Sequence, residues 1–154
     1  RDGIDQAEFW VQTNPGTRPG PMMKVASGGE LSRFLLSLKV SLADKGSAPT
    51  LVFDEIDTGV GGAVAEAIGS RLARLARKVQ VLTVTHAPQV AARADGHFLI
   101  SKEESGAERV ATRVTRIEVD HRREEIARML AGARITDEAR AAADRLLADA
   151  LPRS

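Results

Sequence analysis

Residues 25–33 read Val-Ala-Ser-Gly-Gly-Glu-Leu-Ser-Arg, a turn with two glycines that leads directly into an apolar-periodic segment. After Glu30 the apolar residues recur at steps of three and four, which is the period of one helix face. These apolar residues are Leu31, Phe34, Leu35, Leu38 and Leu42. The pattern predicts a helix from about Glu30 to Ala43 that is delivered by the glycine turn and capped near Gly46.

The start of this helix supports two interpretations. Ser27 and Glu30 have the spacing of a capping box, in which each side chain accepts a hydrogen bond from the other residue's backbone N–H. A cap does not need Gly28 and Gly29, and each glycine costs about 0.8–1 kcal/mol relative to alanine inside a helix. Glycines at a helix N-terminus also allow an anion such as phosphate to approach the unpaired N–H groups closely. These residues alone leave a plain cap and an anion-binding site equally open.

The segment that follows predicts a strand, a helix and a second strand. Residues 50–53 form a short apolar run typical of a buried strand, and residues 79–84 form another. Between them, glycines at positions 59, 61 and 62 make a turn, and an apolar stripe predicts a helix over 63–77. Such a unit places its two strands parallel. We therefore expect an α/β fold with a mostly parallel sheet and flanking helices.

The rest of the chain predicts shorter elements around this core. We expect a short strand near Trp10 followed by an irregular connector, with residues 1–24 leading into the core at 25–101. The remaining predictions are a short helix over 88–93, strands over 96–101 and 109–119 around a charged loop at 102–108, and helices over 123–130 and 137–151. The alternation of the 109–119 strand slips midway, which indicates a bulge or an edge position. Residues 102–154 complete what we expect to be a single-domain fragment.

Composition bounds the class of protein. The chain has 154 residues, 43% of them hydrophobic and 28% charged, which is typical of a globular domain. It has no cysteine, so disulfides, thiolate catalysis and cysteine-based zinc sites are excluded within it. No apolar run approaches the roughly 20 residues of a membrane span, and the first residues do not resemble a signal peptide. We expect a cytoplasmic location and, because residue 1 is arginine, an internal piece of a longer protein.

Nucleic-acid binding is neither supported nor excluded by charge. The net charge of +1 permits a local phosphate-binding surface, whereas the few aromatic residues argue against a base-stacking surface. Arginines and acids are nearly balanced in residues 122–153, which favours a solvated helix surface over a surface that contacts DNA or a partner.

Polar residues follow both predicted core strands, where ligands bind in an open parallel sheet. Asp54 and Glu55 close the first strand, and His86 closes the second. Neighbouring strand residues point to opposite faces, so one carboxylate can hold a hydrated Mg²⁺ while the other faces an attacking water. A neutral imidazole at His86 can donate to a phosphate oxygen. This division of labour suits phosphoryl transfer.

One part of a nucleotide site is missing from the sequence. The phosphate loop of nucleotide hydrolases reads Gly, four residues, Gly-Lys-Ser/Thr. The lysines, at positions 24, 39, 45, 78 and 102, all lie outside such a setting.

Three ordered segments resemble the signature motif, the Walker B motif with its D-loop, and the switch-histidine segment of an ABC-type ATPase head. They are Ser-Gly-Gly-Glu-Leu-Ser at 27–32, Leu-Val-Phe-Asp-Glu-Ile-Asp-Thr-Gly at 51–59, and Val-Thr-His-Ala-Pro-Gln-Val-Ala-Ala at 84–92. Within that superfamily, residues 24–26, 57–62, 86–91 and 126–132 are similar to SMC-like ATPases of bacterial DNA repair. The resemblance runs from about Asn14 into the terminal helices and identifies the chain as the C-terminal lobe of a split head.

The resemblance implies roles for individual residues. Ser27, Gly28 and Gly29 would contact the γ-phosphate of ATP bound to the opposite subunit, and Glu30 completes this motif. The remaining roles are support of Mg²⁺, through water, by Asp54, orientation or activation of water by Glu55, communication across the dimer by Asp57, and sensing of the γ-phosphate by His86.

The same resemblance implies the partners. An N-terminal head segment would carry Walker A, two heads would form a homodimer around ATP, and the full protein would act on DNA at the nucleoid without a membrane partner. The chain would then be an ATPase only when completed, and inactive alone. Two alternatives from other classes are a transporter-type nucleotide-binding subunit and a non-catalytic docking module that retains the ATPase motifs.

Overall fold

The computed structural model describes residues 3, 7–12, 14–42, 48–104, 110–132 and 134–150. Six helices and six strands occur in these ranges. In chain order they are β1 (Trp10–Val11), β2 (Gly20–Pro21), α1 (Met22–Val25), α2 (Gly28–Ser41), β3 (Thr50–Phe53), α3 (Gly62–Ala76), β4 (Gln80–Thr83), α4 (Pro88–Ala91), β5 (His97–Glu104), β6 (Val110–Ile117), α5 (Val119–Ala131) and α6 (Asp137–Ala150).

Helix α2 begins with the predicted capping box. The Glu30 N–H donates to Ser27 Oγ at 3.4 Å, and the Ser27 N–H donates to Glu30 Oε2 at 2.8 Å. The Ser27 hydroxyl also donates to Glu30 Oε2 at 2.8 Å, and the hydrogen bonds from the Ser27 N–H and hydroxyl lower the pKa of Glu30. The helix starts at Gly28, two residues before the predicted start, because both glycines form its first turn. The predicted cap at Gly46 lies outside the described residues.

Strands β3 and β4 form the predicted parallel pair, with α3 as the crossover between them. The register runs from Thr50 opposite Gln80 to Phe53 opposite Thr83. Beyond the last pair, the Val84 N–H donates to the Phe53 carbonyl at 2.9 Å. Both strands therefore end at the same edge of the sheet.

The other strand pairs in the described ranges are antiparallel, which differs from the predicted mostly parallel sheet. Strand β1 pairs with β2, and β5 pairs with β6 from His97 opposite Ile117 to Glu104 opposite Val110. For β5 and β6 the reason is the short connection at 105–109, since a parallel pair needs a crossover of a dozen or more residues. Strand β5 also continues through Glu104, where a loop was predicted. Strand β6 pairs residue for residue with β5 and with no other described strand, so of the two predicted explanations the edge position is correct and the bulge is not. The predicted α/β class itself is confirmed.

Two apolar clusters hold these elements together. The first joins α2, β3 and α3 around the fully buried Leu36, Ile56 and Leu75. The second joins α4, α5 and α6 around Ile126 and Ala143. Helix α4 contributes to both clusters, so it connects the strand ends to the terminal helices. Burial of Ile56 fixes the turn that directly follows β3.

Two arginines of the terminal helices form ion pairs that link α5 to α6. Arg123 donates from Nε to Asp144 Oδ1 at 2.6 Å, and Arg140 donates from Nε to Glu124 Oε1 at 2.9 Å. Each of these pairs joins α5 to α6. This arrangement supports the interpretation of a structural, solvated helix surface. The predicted end of α6 at Leu151 lies outside the described residues.

His97, at the start of β5, makes the stability of the fold depend on pH. Burial, and then the guanidinium of Arg122, lower the pKa of His97 below its ordinary value of 6.5. The unfolded chain then binds more protons than the folded chain below about pH 6.5, so stability rises with pH through that window. We expect the free energy of unfolding to decrease as the pH is lowered from about 7.5 to about 5.5. The decrease should be smaller in His97→Asn. Urea unfolding across this range checks the prediction, with the exposed His121→Asn as the control, and equal pH slopes in the two variants would contradict it.

Candidate nucleotide site

Asp54, Glu55 and His86 lie at the same edge of the parallel pair. Asp54 and Glu55 directly follow β3, and His86 follows β4 by three positions. All three side chains are exposed. As the sequence predicts, the fold brings the two carboxylates and the imidazole to the carboxyl ends of parallel strands, where ligands bind in such sheets.

Asp54 is the residue predicted to hold Mg²⁺. Its Oδ1 accepts the Glu55 N–H at 2.8 Å, and the rest of the carboxylate faces solvent. Within the described part of the chain, no three His, Cys, Asp or Glu residues cluster as a metal site. Magnesium is usually held by one or two carboxylates together with waters and substrate phosphates. An exposed Asp54 therefore fits a magnesium ion bound through water.

Glu55 has an unusual backbone conformation. Its φ angle is +57°, and it is the one non-glycine residue with positive φ among those described. The left-handed region costs an L-residue about 1–2 kcal/mol, because Cβ crowds the following carbonyl oxygen. Strain of this kind is concentrated at functional sites. The chain therefore holds the predicted water-activating carboxylate in a conformation that costs stability.

Substitution of Glu55 should release this strain. We expect Glu55→Gly to raise the free energy of unfolding by up to about 1 kcal/mol relative to Glu55→Ala, because glycine adopts positive φ without a clash. Both variants remove the carboxylate, so the comparison isolates the backbone. Urea unfolding measures the difference. A Glu55→Gly protein no more stable than Glu55→Ala would show that the backbone of Glu55 is unstrained.

The signature turn, residues 27–30, packs against the segment after β3. A Cβ added at Gly28 would lie 3.6 Å from Glu55 Oε2. A Cβ added at Gly29 would lie 3.0 Å from Arg33 Nη1 and 3.5 Å from the Thr58 carbonyl oxygen. A Cβ at position 29 would thus approach closely only the end of the flexible Arg33 side chain and would be in ordinary contact with the Thr58 carbonyl, so packing within the chain does not by itself require glycine there. The same distances place Gly28 and Gly29 next to Glu55.

Asp57 is buried, with 2% of its surface exposed, and it joins the turn after β3 to the segment after β4. Its Oδ2 accepts the Thr85 hydroxyl, the His86 N–H at 3.2 Å and the Ala87 N–H at 3.0 Å. The side chain predicted to communicate across a dimer therefore makes its hydrogen bonds within the chain. Thr85 is a site residue that the sequence reasoning missed, although its position directly before His86 was a usable signal.

The described part of the chain contains no helix long and apolar enough to cross a membrane.

The fold is that of a lobe of an SMC-type ATPase head. A solved structure from work on the ATP-driven dimerization and DNA-stimulated activation of SMC ATPases superposes with a TM-score of 0.53. The superposition covers 81% of this chain and 81% of the other, at 17% sequence identity. The predicted likeness to SMC-like ATPase heads is confirmed at the level of the fold.

Over nearly its whole length the chain is similar to the C-terminal segment of the DNA repair protein RecN. It is 47% identical over 147 residues to RecN of Xylella fastidiosa (strain 9a5c), a match that covers 95% of this chain and 26% of the relative. It is 51% identical over 146 residues to RecN of Mycobacterium leprae (strain TN), covering 95% of this chain and 24% of the relative. The chain thus spans about a quarter of the length of these relatives. No family model matches it.

Proposed function

We propose that the chain is the C-terminal lobe of an ATP-hydrolysing head that dimerises around ATP and acts in DNA double-strand break repair and recombination. One observation carries the proposal: the signature turn, Asp54, Glu55 and His86 gather at the carboxyl end of the single parallel pair in the described ranges. Likeness to RecN supports the repair context, and a cytoplasmic, nucleoid-associated location follows from that context.

Each site residue has a task in this proposal. Glu55 orients or activates the attacking water, and His86 contacts the γ-phosphate of ATP. Asp54 holds magnesium through water, and the ion when bound offsets the negative charge on the phosphates. Ser27, Gly28 and Gly29, at the N-terminus of the 14-residue α2, bind the γ-phosphate of ATP held by the opposite subunit.

The sheet itself supports the need for an N-terminal partner segment. Strand β4 pairs only with β3 in the part of the chain that the structure describes, which leaves its other edge unpaired. A groove of about 940 Å³ is lined by Val81 and Thr83 of β4, by α3, and by Gly96 ahead of β5. One face of the parallel pair also exposes Val52, Leu82 and Val84. An added strand and a covering layer from the Walker A segment would bury this apolar surface.

Reconstitution tests the proposed function. The chain is mixed or co-expressed with an N-terminal segment that contains the Gly-x4-Gly-Lys-Ser/Thr loop, and magnesium-dependent ATP hydrolysis is measured. We expect neither part to hydrolyse ATP alone and the assembly to do so. A segment that lacks the lysine of the loop is the control.

Two results would contradict the proposal. If the two parts assemble into a stable head that binds ATP without hydrolysing it, the chain is a docking module. If the chain instead assembles with a membrane protein, a transporter-type subunit is the correct class.

A further inference from the structure

Asp57 is a buried carboxylate whose two oxygens differ in their surroundings. Oδ2 accepts hydrogen bonds from Thr85, His86 and Ala87, as described above. Oδ1 is equally buried and has no hydrogen-bond partner among the described residues. A buried oxygen without a donor is costly, so its retention calls for an explanation.

A basic group close to this oxygen belongs to the predicted switch histidine. His86 Nδ1 lies 3.9 Å from Asp57 Oδ1. The His86 side chain is 75% exposed, so the ring is free to turn, whereas the Asp57 side chain is 1% exposed and fixed. A small rotation of the ring would bring Nδ1 into hydrogen-bond distance of Oδ1.

We propose that Asp57 is a positioning residue for His86: its Oδ2 fixes the backbone of the histidine segment, and its Oδ1 accepts the Nδ1–H of His86 and so orients the ring. Such a bond turns Nε2 away from Asp57 and towards the solvent side of the strand ends. With Nδ1–H held there, Nε2 of the neutral ring is an acceptor, so a hydrogen bond from Nε2 to the γ-phosphate is made by the protonated ring rather than by the neutral ring expected from the sequence.

The proposal also accounts for how the two strand ends stay coupled. Asp57 lies two residues after Glu55, and Ile56 between them is fully buried. The same short turn therefore carries the water-activating carboxylate and the acceptor that holds the histidine segment. A displacement of this turn would move both groups together. This inference rests on the proposed ATPase function for its kinetic consequence but not for its geometry.

The kinetic arm of the test uses the assembled head with Asp57→Ala, His86→Ala and the double variant, and Asp120→Asn on α5 as the control. If Asp57 acts through His86, Asp57→Ala lowers kcat by about as much as His86→Ala, on the order of 10–100-fold, and the double variant is no slower. KM for ATP should change little. Wild-type kcat in Asp57→Ala, or a double variant slowed by the product of the two effects, would overturn the proposal.

The structural arm uses Asp57→Asn in the same assembled head and does not depend on ATP hydrolysis. Asparagine keeps an acceptor for the three donors but faces His86 with an amide donor, so the His86 and Ala87 amides should stay protected from hydrogen exchange. The His86 ring, observed by ¹⁵N NMR, should carry its proton on Nδ1 in the wild type and on Nε2 in Asp57→Asn. An unchanged ring would overturn the proposal even if the head proved to be inactive, and an inactive head with the predicted ring change would count only against the ATPase.

Discussion

Glu55→Gln should lower the kcat of the assembled head for ATP by at least about 100-fold. The amide keeps the size of the side chain but cannot accept a proton from the attacking water. It also keeps the exposed position after β3, so ATP binding and dimer formation should persist. The variant is therefore expected to accumulate as an ATP-bound dimer. Magnesium-dependent phosphate release and light scattering on the same sample measure the two effects.

The control for this variant is Glu118→Gln, an exposed carboxylate ahead of α5 that forms no side-chain cap. It should hydrolyse ATP at the wild-type rate. If Glu55→Gln also kept the wild-type rate, Glu55 would not activate water, and the strained backbone at this residue would need a purely structural explanation.

Ser27→Arg should abolish ATP-driven dimerisation. A long side chain at this exposed position would occupy the proposed site for the γ-phosphate of the opposite subunit. The substitution also removes the N-cap of α2, which costs about 1 kcal/mol of stability. Ser27→Ala loses the same cap without filling the site, and it should still dimerise. Light scattering with and without ATP measures the result for both variants.

A second control separates charge from position in this experiment. Ser41→Arg adds the same charge at the other end of α2, at an exposed residue away from the turn. It should dimerise normally. If Ser27→Arg dimerised as well as Ser41→Arg, the signature turn would be a plain helix cap, the alternative that the sequence left open.

Sequence patterns predicted the elements whose signals are local. The spacing of Ser27 and Glu30 defines a capping box without any tertiary information, and the structure contains it. The apolar run at residues 50–53 and the helical stripe that follows it similarly predicted β3 and α3. Because parallel strands end at one edge, the grouping of Asp54, Glu55 and His86 was also predictable.

Features that depend on distant contacts were not predictable. The buried role of Asp57 requires the three donors after β4, which lie about thirty residues away in sequence. The packing of α2 against Thr58 brings together residues about thirty positions apart in sequence. The antiparallel pairing of β5 and β6 depends on a connection that composition describes only as a charged loop. The positive φ angle of Glu55 was not predictable, because glutamate is not a residue type that favours this conformation.

The central claim is that Ser27 of one head and Glu55 of the other serve different parts of a shared ATP site. The alternative is that both residues serve the same head, because Gly28 also lies close to Glu55 within a single chain. If the signature turn acts across the dimer, a mixed dimer of Ser27→Arg and Glu55→Gln heads keeps one intact site. If the turn acts within its own head, both sites of the mixed dimer are damaged.

Hydrolysis by an equal mixture of the two inactive heads distinguishes these arrangements. We expect the mixture to recover hydrolysis at no more than about half of the wild-type rate, because each mixed dimer has one intact site out of two. A mixture as inactive as either variant alone, with mixed dimers demonstrably present, would contradict the claim that the site is shared between two heads.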